Sequence, residues 1–380
     1  MPTALFAWRR TPPPFLIGGA EVTQQLLAEE FAAAGWRTVY LGSHQAPWDQ
    51  TPQIAQVRGF LDQHDTAYEE SQEELRYTWH GMDCVAVPQQ RITSAVRSML
   101  SQVRPDVVFT SQEGAADIAA HARPTALVAG ILHSVSKTGL GVLTGRPHHG
   151  LAVSQFVLRR APRTDGTRLS VLYPPFAPPR PGQHCPERTS AVLMVNPIPA
   201  KGADLLHRLV RRMPEQRFTL VEGWWNTADE FAGYPNVTYV PRAYDMSPLY
   251  SSHRLLIVPS TVEDAFPRVI IEAALYGTPS IATDRGGIPE ALGNAGITLS
   301  AEAGVEEWVE ALRAADHHIL GEEARQRATA FTRPRLPALE RLGIYPAANA
   351  SSTCSSRSVH QCSSASSAVN RSSKEKSPRS

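Results

Sequence analysis

PSTVEDAFPRVIIEAALYGTPSIATDRGGIPEAL, residues 259–292, is the stretch from which the fold is read. A strand ends at Ser260 and an acidic loop follows. Pro267 then stands where a helix would begin, a favoured place for proline because the first helical N–H has no partner anyway. That helix N-terminus offers N–H groups and partial positive charge, which suit phosphate. Glu272 falls about one and a half turns inside the helix. A carboxylate there can still face a cleft and accept two hydrogen bonds from a diol such as ribose. The next strand ends at Asp284, and Gly286–Gly287 let the backbone turn before a helix at Pro289. The same residues also fit an ordinary βαβαβ unit with Glu272 on a solvated face, so the surrounding segments must decide.

Working outward, strand and helix patterns alternate through residues 188–346. Strands are expected over Ala191–Asn196, Arg217–Gly223, Asn236–Pro241, Arg254–Ser260, Pro279–Thr283 and Gly296–Leu299. Helices are expected over Ala203–Met213, Ser247–Ser252, Arg268–Tyr276, Pro289–Leu292 and Val305–Ala314. This alternation predicts a parallel sheet covered on both faces. The first half repeats it, with strands at Ala4–Trp8, Arg37–Ser43, Asp106–Ser111, Thr125–Ser134 and Gly150–Gln155. Its helices are Glu21–Ala34, with Val22, Leu26, Leu27 and Phe31 as an apolar stripe, and Gln89–Val103. Six prolines in Tyr173–Glu187 mark an extended linker. The expected organisation is therefore two doubly wound α/β domains, 1–172 and 188–346, joined by 173–187. Ligands of such open sheets bind at the C-terminal strand edges. Residues 347–380 hold thirteen serines and five Lys/Arg against one Glu, and are expected to be a disordered tail. Residues 44–83, acidic and rich in aromatics, find no place in the pattern.

Two more segments carry chemistry. In Asn196–Leu206, NPIPAKGADLL, Lys201–Gly202 sit at the tip of a strand–helix loop, a natural phosphate site. In Phe15–Glu21, FLIGGAE, Gly18 and Gly19 permit a close backbone approach. The dinucleotide fingerprint G-x-G-x-x-G is missing, which disfavours a dehydrogenase.

The 259–292 stretch resembles the family-4, or group 1, retaining glycosyltransferases, whose fold is GT-B: two Rossmann-like domains facing a cleft. Their signature is an acidic residue, seven intervening residues and a Glu, then G-T-P-x-I-A-T-x-x-G-G-I-P-E. Asp264 and Glu272 take the acidic positions, and Gly277–Glu290 matches the remainder. The resemblance implies that Asp264 contacts the donor sugar, Glu272 the nucleotide ribose and Lys201 the diphosphate. It also implies that Gly18–Gly19 approach the donor or acceptor across the cleft. His133, at the end of a strand, takes the place of a family histidine that touches the donor sugar. Asp264 and His133 are thus the catalytic candidates. Gly18, Gly19, Lys201, Arg268, Val269 and Glu272 are the donor-binding ones. Three departures stand out. Asp264 replaces the usual Glu and has Glu263 beside it. Pro267 replaces a common Gly, leaving the amides of Arg268 and Val269 and the Arg268 guanidinium to meet phosphate. Asn196 stands where an Arg is usual.

Composition narrows the alternatives. A net charge of +1 argues against nucleic acid as partner. No apolar run approaches the roughly 18–20 residues of a membrane span. The first residues lack the apolar core of a signal peptide. The four cysteines have no paired spacing, so a reducing cytoplasm is expected. His148–His149 and His317–His318 lack metal-ligand spacing and are read as surface. No D-x-D occurs, so no metal or other cofactor is expected. The leading reading is a metal-independent, retaining transfer from a nucleotide-diphosphate sugar to a small-molecule, glycan or lipid acceptor. Its rivals are a nucleotide-sugar-binding protein of the same fold without turnover, and a phosphorylase or epimerase of the same architecture. Trp224–Trp225 follow a strand on the cleft side and could stack on a nucleobase or an acceptor ring.

Overall fold

The computed structural model describes residues 1–14, 18–45, 54–180 and 187–345. The tail expected over 347–380 and the Phe15–Ile17 part of the glycine loop lie outside the described residues, as do parts of the 44–83 stretch and of the proline-rich linker.

The first lobe is built on β1 (Thr3–Ala7), β2 (Arg37–Ser43), β3 (Tyr68–Ser71), β4 (Glu74–Trp79), β5 (Met82–Val87), β6 (Val107–Ser111), β7 (Leu127–Leu132), β8 (His149–Ala152) and β9 (Arg168–Val171). They lie in the order β3-β4-β5-β2-β1-β6-β7-β8-β9. All pairs are parallel except β3–β4 and β4–β5, which are antiparallel. The second lobe holds β10 (Val192–Val195), β11 (Phe218–Val221), β12 (Val237–Val240), β13 (Leu255–Val258), β14 (Ser280–Thr283) and β15 (Gly296–Leu299). Their order is β12-β11-β10-β13-β14-β15, parallel throughout. That is the Rossmann order, with its switch point between the first and fourth strands of the lobe. Helices cover both faces, which is why runs such as Val192-Leu193-Met194 are apolar on both sides and wholly buried.

The unplaced stretch resolves in part into a helix, Ile54–Gln63, and the β3–β4 hairpin, which extend the parallel sheet with an antiparallel edge. In β4, Leu75 and Tyr77 are buried while Arg76 and Thr78 are exposed, a period-two pattern. The first helix, Gly19–Ala33, departs from its expected stripe. Val22 and Leu26 are only half-buried and line the cleft, whereas Thr23, Gln24 and Gln25 are buried. The helix lies between the sheet and the cleft, so no face of it is purely solvent. The linker is not a free spacer where it is described. Phe176 is buried beside Phe266 and Phe331, and the Arg335 guanidinium donates to the carbonyls of Tyr173 and Pro174 at 2.8 and 2.7 Å. After Arg335 the chain returns to the first lobe, where Tyr345 stacks on Trp36 with ring centroids 5.1 Å apart.

Candidate active site

Both switch points open into one cleft of about 870 Å3. From the second lobe, the loop after β10 brings Lys201 and the loop after β13 brings Asp264. From the first lobe come Gly18 and Gly19, which follow β1, Glu113, which follows β6, and His133, which follows β7. All eight residues singled out as catalytic or donor-binding line this cleft.

Lys201 and Asp264 meet there as an ion pair, their side chains 21% and 16% exposed. The two loops are tied by the Thr261 N–H donating to the Ala200 carbonyl at 3.2 Å. The Gly286–Gly287 turn sits against the back of the Asp264 loop. The Gly287 N–H donates to the Asp264 carbonyl at 2.6 Å, and a Cβ at either glycine would run into the backbone of Asp264 or Ala265. Gly286 also has φ +60°, a conformation that side chains disfavour. The glycine pair thus holds the acidic loop in place. Asp264 Oδ2 is buried and has no hydrogen-bond partner.

Glu272 faces the cleft from the helix Arg268–Leu275 but is already engaged. Its Oε1 accepts from Arg268 Nε at 2.9 Å and its Oε2 from the Tyr250 hydroxyl at 3.0 Å. Burial and the Glu272 charge raise the Tyr250 pKa, keeping it a donor. Arg268 does not stand free for phosphate as its place at the helix start suggests. It is buried, donates to Thr23 Oγ1 and the Pro175 carbonyl at 3.1 and 2.9 Å, and lies 4.2 Å from the Phe176 ring centroid. It therefore joins the second lobe to the first helix and the linker. Val269 is half-buried beside it. Asn196 is buried under the loop after β11, its Oδ1 accepting from the Trp224 N–H at 3.3 Å. Arg242 is spent on the Gly223 and Trp224 carbonyls. Glu263 pairs with Arg160 of the first lobe at 2.7 Å.

On the opposite wall, His133 is part-exposed as a residue, but its Nε2 is shut off and unpartnered. Burial, with Arg10 and Arg268 nearby, pushes its pKa down to about 3, so the ring is neutral at neutral pH. Gly19 packs on Arg268, whose Cδ would lie 3.0 Å from an added Cβ. Among the described residues no three side chains of His, Cys, Asp or Glu come together as a metal-ligand set.

Residues 190–315 match the family model of glycosyl transferases group 1. The whole described fold is also similar to solved glycosyltransferases. Sucrose-phosphate synthase of Thermosynechococcus elongatus aligns at TM-score 0.66 and 17% identity over 90% of this chain and 98% of its own. Anabaena HepE in complex with UDP and glucose aligns at 0.65 and 17%, over 90% and 100%. The pneumococcal O-GlcNAc transferase GtfA in complex with UDP and GlcNAc aligns at 0.66 and 11%, over 90% and 98%. This chain has the GT-B fold, and its residues 190–315 match the group 1 glycosyl transferase model. A comparison with curated proteins finds no match. Among the described residues, no helix is long and apolar enough to cross a membrane.

Sequence reasoning missed or misplaced several residues of the cleft and of the lobes that form it. Glu290, the last residue of the signature, accepts from the backbone N–H groups of Gln155 and Phe156 at 2.7 and 3.1 Å and from the Tyr173 hydroxyl at 2.7 Å. It thereby caps a first-lobe helix from the second lobe. Tyr250 carried no signal, because only the fold brings it to Glu272. His148 and His149 are not the surface pair expected. His149 is buried in β8, and His148 Nδ1 accepts from the Val128 N–H at 3.0 Å.

Proposed function

We propose that this protein is a glycosyltransferase that takes a sugar from a nucleoside-diphosphate sugar held by residues 188–346. The sugar then passes, with retention and with no metal on the diphosphate, to an acceptor bound against residues 1–172. The reading rests above all on the Lys201–Asp264 pair at the switch point, with Asp264 Oδ2 buried and unpartnered. Breaking the sugar–phosphate bond leaves its electron pair on the departing diphosphate, which takes the proton of the acceptor hydroxyl as that oxygen bonds to the anomeric carbon. Lys201 turning from Asp264 to that diphosphate stabilises charge that is larger in the transition state than in the bound donor. The amides of Arg268 and Val269, at a helix N-terminus, add to this. Asp264, released, accepts from a donor-sugar hydroxyl and supports the positive charge growing at the anomeric carbon. An orphaned buried acceptor costs about 1–3 kcal/mol, which such a hydroxyl would remove. Glu272 takes the ribose diol as its bonds to Arg268 and Tyr250 loosen. Neutral His133 meets the donor sugar from the first lobe, and the Gly18–Gly19 backbone closes over it. Retention follows from the family resemblance. The UDP complexes of HepE and GtfA support UDP-sugars as the first donors to try. The buried free thiol of Cys84 accords with a reducing cytoplasm.

The test is a transfer assay with UDP-, GDP- and ADP-sugars, with and without EDTA, reading the anomeric coupling of the first-formed product by NMR. The proposal expects transfer unaffected by EDTA and a product with the donor's anomeric configuration. An inverted product, or activity abolished by EDTA and restored by a divalent cation, would contradict it.

A further inference from the structure

The first-lobe wall of the cleft contains a buried carboxylate that the donor chemistry leaves unused. Glu21 is 2% exposed. Its Oε1 accepts from Arg10 at 2.7 Å, while its Oε2 is buried with no hydrogen-bond partner. That oxygen faces the gap in front of Gly18, 3.2 Å from where a Cβ on that residue would stand. The indole Nε1 of Trp224, reaching over from the second lobe, lies 3.3 Å from the same point. A hydrogen-bond acceptor and a donor thus converge on one gap, and the absence of a side chain at Gly18 keeps it open. A hydroxyl suits such a place, since it donates through its proton and accepts through its lone pairs.

The charge of this wall restricts the ligand further. Its charged lining residues among those described are Arg10, Glu21 and Glu113. Arg10 is held by both carboxylates, with Glu113 taking its Nε and a terminal nitrogen at 3.0 and 2.9 Å. The triad sums to one negative charge, its one cation being held by the two carboxylates. His133 is neutral, and Ser134 and Ser136 add hydroxyls joined at 2.8 Å. Trp224, half-exposed at the cleft, offers an indole face on which a sugar ring can lie.

We infer that Glu21, facing Trp224 across Gly18, is the acceptor-hydroxyl subsite of this transferase, and that it selects neutral polyhydroxylated acceptors over phosphorylated or carboxylated ones. The inference rests on the transferase reading above and adds the chemical class of the acceptor.

The experiment presents neutral hexoses, methyl hexosides and maltooligosaccharides beside hexose 6-phosphates and hexuronic acids, using the nucleotide sugar that the donor panel identifies. The expected result is a kcat/KM at least about tenfold higher for neutral acceptors than for their anionic counterparts. Glu21→Gln, close in shape, should raise the KM for the neutral acceptor about tenfold or more, with nucleoside diphosphate affinity held within about twofold. Anionic acceptors used as well as or better than neutral ones by the parent protein would overturn the inference, even if the variant failed to fold. An unchanged acceptor KM in Glu21→Gln would also overturn it, as would a nucleotide affinity that moved by the same factor. A parent that neither binds nucleoside diphosphates nor hydrolyses nucleotide sugars removes the transferase reading itself, and calorimetry tells that failure from the others.

Discussion

Replacing Glu272 by Gln isolates what its charge does for the nucleotide. In the structure the carboxylate is shared between Arg268 Nε at 2.9 Å and the Tyr250 hydroxyl at 3.0 Å. A bound ribose must compete with both, and it does so with two hydroxyls converging on one anion. A hydrogen bond to a charged group contributes about 1.5–3 kcal/mol, which is roughly a 10- to 150-fold change in affinity. The amide keeps the size of the side chain and an oxygen for Arg268 Nε, although the buried guanidinium loses its counter-charge. Removing the side chain entirely would take away that hydrogen bond as well, and breaking a buried pair in this way perturbs folding by roughly 3–5 kcal/mol. Isothermal calorimetry of a ribonucleoside diphosphate and its 2′-deoxy counterpart, on parent and Glu272→Gln, forms a double-mutant cycle. The parent should bind the ribo form roughly 10-fold or more tightly, and most of that preference should vanish in the variant. Equal affinity of the parent for both sugars would refute the assignment of Glu272 to the ribose.

Glu290→Gln should lower unfolding free energy by about 1.5–3 kcal/mol, because two backbone N–H groups and the Tyr173 hydroxyl lose an anionic acceptor. Denaturant titration reads this, and Tyr173→Phe should give a smaller loss. The low pKa of His133, about 3 against the ordinary histidine value near 6.5, predicts a pH effect. Below pH 6.5 the unfolded chain binds a proton that the folded protein refuses, so this site costs stability progressively as pH falls from about 6.5 towards 3. Urea midpoints of His133→Gln should therefore fall less steeply than those of the parent between pH 7 and pH 5, and parallel curves would contradict the burial of a neutral ring.

Much of the fold was legible because the second lobe is locally consistent. Ser247–Ser252, Val305–Ala314 and Gly296–Leu299 form the elements their patterns predict, and Arg37–Ser43 does so in the first lobe. What escaped did so for physical reasons. The β3–β4 hairpin turns through Gln72 and Glu73, both at positive φ, without the Asn-Gly or Asp-Gly signal that usually marks such a turn. The first helix hides its role behind a polar buried face, because Thr23 meets Arg268 from the other lobe and Gln24 meets Ser111 in the core. At the site, Lys201, Asp264 and Glu272 could be picked out because their signature is local. Their restraints could not. The Lys201–Asp264 pair spans 63 residues, the Arg268–Pro175 bond 93 and the Gln155–Glu290 bond 135. Only the folded chain shows that Arg268 and Arg242 are held by other groups, which leaves Lys201 as the cation proposed to meet the phosphate charge.

That last point makes Lys201→Ala the most direct measurement. The parent and the variant are compared in transfer turnover and in calorimetric affinity for the nucleoside diphosphate. With the ammonium gone, Asp264 faces the diphosphate unpaired, and charge that grows in the transition state loses its main counter-charge. Turnover is predicted to fall by at least about a hundredfold, near 2.7 kcal/mol of activation free energy, by a larger factor than affinity. Lys201→Arg should recover part of it, since a planar fork replaces a point charge. Near-parental turnover and affinity in Lys201→Ala would contradict the placement of the donor diphosphate at this switch point, and with it the mechanism.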